Sequence, residues 1–144
     1  MTLADYPYNA PMTTSVSRGL IAIAALLMAV ATALGAYASH GLDTVLDAAA
    51  LNSFETAVYF QFIHALGLIG IAIYGERCPE AKTLNLAGLL LLIGIVLFCG
   101  GVYASSTSGP DWIGRLAPTG GISLIAGWII FAATVSLQLA ADRR

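Results

Sequence analysis

The chain has 144 residues, 58% of them hydrophobic and 10% charged, with a formal net charge of −2. Soluble domains carry about 25% charged residues, so this composition excludes an ordinary soluble globule and marks a membrane protein. The six Lys and Arg are scattered, and no stripe interleaves them with aromatics, which excludes nucleic acid as a partner.

Residues 1–17, MTLADYPYNAPMTTSVS, combine prolines, an acid and hydroxyl residues and read as a flexible N-terminal tail. A secretory signal would place positive charge ahead of a short apolar core, whereas the first cation here is Arg18, against the apolar run. Thr2 stands where myristoylation needs glycine, and ADRR at the other end is no prenylation box. Residues 18–140 form the expected transmembrane domain, with spans at about 19–38, 54–74, 84–104 and 119–139.

The first span holds no charge. Ala25, Ala29 and Ala33 repeat every four residues, and Ala31 and Gly35 do the same nearby. This spacing suits the close approach of another helix, although alanine is also simply a strong helix former. Ser39, His40 and Gly41 then end the helix. In the segment that follows, Leu42, Val45, Leu46 and Ala49 fall at helical spacing, with Asp43 and Asp47 on another side. This reads as a short helix at the interface. Asn52 and Glu55 have capping-box spacing, so they are expected to start the second span.

The second span, FETAVYFQFIHALGLIGIAIY, is where chemistry is concentrated. Its 21 residues reach about 30 Å as a helix, the thickness of a hydrocarbon core. Gln61 and His64 sit near the middle, on a face shared with Ala57, Leu68 and Ile71. Polar groups at that depth face protein and mark functional positions by default.

A short charged turn containing Pro79 follows, so the second and third spans are antiparallel neighbours. In the third span Ala87, Gly94 and Gly101 recur every seven residues, a seam for a crossing of about +20°. Gly100 and Gly101 are a place for a bend. Cys99 lies in an apolar run and Cys78 in a charged loop, with no CxxC spacing, so two free thiols are expected and no structural zinc. The next loop carries Trp112 as an interfacial anchor. Pro118 with Gly120 and Gly121 opens the fourth span, where Ser123 and Gly127 add a further small-residue pair.

Arg18, Arg77, Lys82, Arg143 and Arg144 fall on one side of this four-span scheme and only Arg115 on the other. The positive-inside rule then places both termini in the cytoplasm. The fold class is an all-α membrane bundle of four transmembrane helices, located in the plasma membrane, which in a bacterium is the inner membrane.

GAYASHGL (35–42), FETAVYFQFIHAL (54–66), AGLLLLIGIVLFCGGVY (87–103) and GRLAPTGGISLIAGW (114–128) resemble, in order, the four blocks of a small membrane family. It is the domain of unknown function 423 family, which includes YgdD and transmembrane protein 256-like proteins. The resemblance covers about residues 18–140 and implies a four-span integral membrane protein. The family's name assigns no activity.

His40 and His64 are the two histidines, and straight helices separate them by about 15 Å in depth. They therefore do not converge on one ion or haem, and no cofactor or metal is expected. No GxSxG, HExxH, P-loop or dinucleotide fingerprint is present, so an enzyme is not expected. His40, Glu55 and Arg115 at the outer helix ends form a candidate polar cluster. Gly94, Gly101, Gly120, Gly121 and Gly127 are the helix-packing positions.

Two function classes stay open. One is an accessory or scaffold protein whose packed faces bind the bilayer together with membrane-protein partners or copies of itself. The other is a small-solute or proton carrier, or a ligand-binding bundle, with a midplane site at Gln61 and His64. A cavity at those two residues favours the second class, and a dry bundle favours the first.

Overall fold

The computed structural model describes residues 15–78 and 81–141. Most of the expected tail (1–14), the breaker Pro79 and the terminal Asp142, Arg143 and Arg144 lie outside the described residues. The elements in order are α1 (Ser15–Tyr37), a π-helical turn (Ala38–Leu42), α2 (Ala48–Arg77), α3 (Lys82–Ser106), the short α4 (Asp111–Gly114) and α5 (Ala117–Ala141). No strand occurs among the described residues. Four helices are long and apolar enough to cross a bilayer: Ser17–Leu42, Ala48–Arg77, Lys82–Ser106 and Asp111–Ala141. The protein is an all-α, four-span membrane bundle.

Burial recurs every seven residues in each long helix, the period that keeps one seam facing a neighbour and winds helices left-handed. On α1 the buried alanines are Ala24, Ala31 and Ala38. On α2 the sequence is Phe54, Ala57, Gln61, His64, Leu68 and Ile71. Leu84, Ala87, Leu91, Gly94 and Gly101 serve α3, and Gly120, Leu124, Gly127 and Thr134 serve α5. Helix α1 packs on α2, α2 on α3 and α3 on α5, while α1 and α5 make no comparable contact. The order in space is therefore α1, α2, α3, α5, with α2 and α3 at the centre. One apolar core joins Leu68, Ile71, Leu91 and Ile95 to Leu124 of α5, and a second joins Ala31 and Ala38 to Phe54 and Val58.

Two local expectations are corrected. Helix α2 begins at Ala48, not at the Asn52–Glu55 box. Asp47, in extended conformation, is its N-cap, with its carboxylate Oδ1 accepting from Ala50 N at 2.8 Å. Once Asp47 has closed the helix end, the alanines after it propagate the helix and leave Asn52 and Glu55 exposed within it. The expected interfacial helix thus dissolves into a turn and the first residues of α2.

Ala25, Ala29 and Ala33 are exposed, on the far side of α1 from its inward stripe, which has a period of seven. The seam of Gly94 and Gly101 lies against α5. A Cβ at Gly94 would enter the Leu124 side chain, and one at Gly101 would meet Ala117 at 3.0 Å. The second correction is that Ser39–Gly41 do not stop α1; they continue it as a π turn to Leu42. There the Tyr37 ring lies over Gly41, where a Cβ would come within 2.6 Å of it. Only glycine leaves room for that ring. Helix α3 runs unbroken through Gly100 and Gly101.

Candidate functional site

Gln61 and His64 both lie in the middle of α2 and are buried, at 3% and 8% exposure. Three residues apart on a seven-residue seam, they occupy its two alternating positions and so meet different neighbours. Gln61 Nε2 donates to the Leu27 carbonyl of α1 at 2.7 Å. Its Oε1 accepts from the Tyr103 hydroxyl of α3 at 3.0 Å. The Tyr103 ring is held against Phe54 with centroids 4.7 Å apart. One amide thereby ties three helices together, and its carbonyl and one N–H are satisfied inside the bundle.

His64 turns to the other side. Its Nδ1 lies 2.6 Å from the Phe60 carbonyl, one turn back on α2. A carbonyl only accepts, so Nδ1 is the donor in this contact. The imidazole stacks on Phe60 at 5.6 Å and tilts against Trp128 of α5 at 6.2 Å. Trp128 reaches it because residue 67 is glycine: a Cβ there would come within 2.7 Å of the indole Cζ2.

Further interhelical polar contacts lie between α3 and α5. Ser123 Oγ donates to the Leu90 carbonyl at 2.8 Å, and the Thr134 and Thr83 hydroxyls share a bond of 2.9 Å. Around them the glycines set the approach distance. A Cβ at Gly120 would run into the Phe98 backbone, and one at Gly127 would meet Leu91 and the Ala87 carbonyl at 2.9 and 3.1 Å. Gly121 differs, since a Cβ there makes only ordinary contact with the Phe98 ring at 3.7 Å.

His40, Glu55 and Arg115 are all exposed, and among the described residues no hydrogen bond or ion pair joins them. No group of three or more His, Cys, Asp or Glu suited to a metal occurs among the described residues. Cys78 and Cys99 are both free thiols, the second buried. Clefts of about 410, 530 and 620 Å³ open at helix ends, and neither Gln61 nor His64 lines any of them.

Sequence reasoning passed over Tyr103 and Trp128, the residues that give Gln61 and His64 their separate surroundings. For Trp128 a signal existed: tryptophan is enriched at membrane interfaces, and this one falls near the middle of an apolar run.

The family described as "Protein of unknown function (DUF423)" matches residues 34–121, more than half of the chain. The chain belongs to the DUF423 family. A Bacillus subtilis relative, UPF0382 membrane protein YwdK, is 33% identical over 110 residues, covering 76% of this chain and 89% of the relative. The Staphylococcus saprophyticus membrane protein SSP2132 is 38% identical over 104 residues, covering 72% and 83%. The Escherichia coli inner membrane protein YgdD is 29% identical over 114 residues, covering 79% and 86%. No solved structure matches the chain. The DUF423 match takes in Gln61, His64, Tyr103 and the glycines up to Gly121, and ends before Trp128. This DUF423 protein is a small integral membrane protein, as its relatives are named.

Proposed function

We propose that this DUF423 protein is an accessory or scaffold protein that packs against other membrane proteins, or copies of itself, through the outward face of α1. The supporting observation is the position of its small residues. Ala24, Ala31 and Ala38 face α2, whereas Ala25, Ala29 and Ala33 are exposed on the opposite side. Small residues at four-residue spacing let a second helix backbone approach closely in lipid, where van der Waals contact drives association. Helix α1 is also the least covered: 11% of its most apolar window is buried within the chain, against 50% for α2. Gln61 supports the same reading, because its bonds to Leu27 and Tyr103 serve the bundle itself. A carrier or ligand-binding role then rests on His64 and not on the pair.

The test is to enlarge the two faces of α1 separately. Ala29→Leu should leave thermal unfolding in detergent unchanged within about 0.5 kcal/mol, as for other outward substitutions, while abolishing co-purification or self-association. Ala31→Leu should instead destabilise by about 1–3 kcal/mol through overpacking. Unaltered association in Ala29→Leu would remove the α1 face from the account.

A further inference from the structure

The end of the bundle away from the Cys78 turn carries two adjoining clefts whose polar groups the helix packing leaves unused. The first, of about 410 Å³, lies between the start of α2 and the last turn of α3, with Asp47, Ser53, Ser105 and Ser106 as its polar lining. The second, of about 620 Å³, is lined by Ser105, Ser108, Asp111 and Arg115 among others. Ser105 borders both, so the clefts meet at the end of α3. Helix α2 has 30 residues and a length of about 45 Å, against about 30 Å of hydrocarbon. Charged residues stand at both of its ends, Asp47 at one and Arg77 at the other, so the excess is shared and the clefts lie in the headgroup layer.

What each cleft can take follows from the hydrogen-bonding capacity already spent. Ser53 and Ser105 donate their hydroxyl protons to the carbonyls of Ala49 and Gly101, at 2.9 and 3.0 Å. Asp47 uses Oδ1 to cap α2, and no described cation pairs with its charge. The first cleft therefore offers acceptors and a negative charge, and it suits a group that only donates, as an ammonium does in three directions. One carboxylate beside hydroxyls falls short of a calcium cage. Ser106 adds an independent sign: it is 8% exposed, and its Oγ is the enclosed side-chain polar atom without a partner among the described residues. Buried hydroxyls take partners, and where the chain supplies none a water or ligand does. In the second cleft the Arg115 guanidinium has no partner among the described residues, and its fork of N–H groups matches phosphate oxygens. Asp111 in the same cleft disfavours a ligand that is only an anion. A zwitterion, positive at Asp47 and negative at Arg115, satisfies both.

We propose that the two clefts bind the headgroup of a phosphatidylethanolamine-type lipid. Its primary ammonium donates to the Asp47 carboxylate and to the Oγ atoms of Ser53 and Ser105, and its phosphate, two carbons away, accepts from the Arg115 guanidinium. Ser106 Oγ gains the partner it lacks through a change of rotamer. Gly114 makes room for this arrangement, since a Cβ there would collide with Ser105 Oγ, the group both clefts share. The inference is independent of the α1 face.

Native mass spectrometry of the full chain, released from micelles doped with lipids of identical acyl chains, measures the binding. Phosphatidylethanolamine should bind about tenfold more tightly than phosphatidylcholine, whose trimethylated nitrogen keeps the charge but has no N–H; tenfold is the scale of one charge-assisted hydrogen bond. Phosphatidylglycerol, which brings the phosphate without an ammonium, should be weaker by a similar factor. Asp47→Asn keeps an N-cap residue and removes the charge, so it should lose the preference for phosphatidylethanolamine with an unchanged unfolding temperature. Arg115→Gln should weaken phosphatidylethanolamine about tenfold. Should Asp47→Asn fail to fold, the three-lipid comparison and Arg115→Gln still decide. Glycerophosphoethanolamine, the same headgroup without chains, should not displace the lipid at equal concentration. Equal binding of phosphatidylethanolamine and phosphatidylcholine overturns the proposal, as does unchanged phosphatidylethanolamine binding in either folded variant. Displacement by the chainless headgroup overturns the lipid as its source.

Discussion

Gln61 and His64 are neighbours in type, depth and burial, yet their hydrogen bonds give them opposite roles. Gln61 is bonded to α1 and α3, so removing its amide leaves the Tyr103 hydroxyl without its partner. Tyr103→Phe should cost about 1 kcal/mol and Gln61→Leu about 1–3 kcal/mol in reversible unfolding in mixed micelles, the range for interhelical bonds in lipid and for stranded polar groups. The double variant should cost little more than Gln61→Leu alone, because both changes delete one shared bond. Fully additive costs would mean that the bond does not form. The sequence placed both residues at midplane depth, because an unbroken apolar run fixes depth. It did not reveal that they look in different directions, because a helix face about 100° wide contains both positions of a heptad seam.

At the scale of elements, the four spans were legible because apolar length alone marks them. Their ends and faces were less so. Asp47 and Asn52 are both good N-cap types, and choosing between them requires knowing that the alanines after Asp47 join the helix. Asp47→Ala should destabilise by about 0.5–2 kcal/mol as a lost cap, while Asn52→Ala, within the helix, should be neutral or slightly stabilising. Differential scanning fluorimetry of the two variants separates the assignments. On α1 the alanines occupy both the inward and the outward stripe, so composition shows two candidate seams and cannot rank them. The glycine seam of α3 was visible as a repeat, but the short loop before α3 pointed to α2, and α3 has a second neighbour in α5. Along that contact, Gly120→Ala should be severely destabilising because its Cβ would meet backbone. Gly121→Ala, with open contact distance, should gain a few tenths of a kcal/mol from helix propensity.

Considered whole, the molecule is a bundle of four helices in which Gln61 fastens α1, α2 and α3, while small residues together with Ser123 and Thr134 fasten α3 to α5. From the even number of spans and the cation distribution we propose that the start of α1 and the end of α5 both face the cytoplasm. In a Cys99→Ala background, Cys78 between α2 and α3 should resist an impermeant maleimide on intact cells, and ready labelling would invert the orientation. The inner residues hold the bundle, and we propose that the outer face of α1 is thereby left for association. A photo-reactive residue placed at Ala29 and, for comparison, at Ile129 of α5, which is also exposed, tests this in the native membrane. Protein adducts are expected from position 29 and lipid adducts from position 129. Lipid adducts alone from both positions would contradict it.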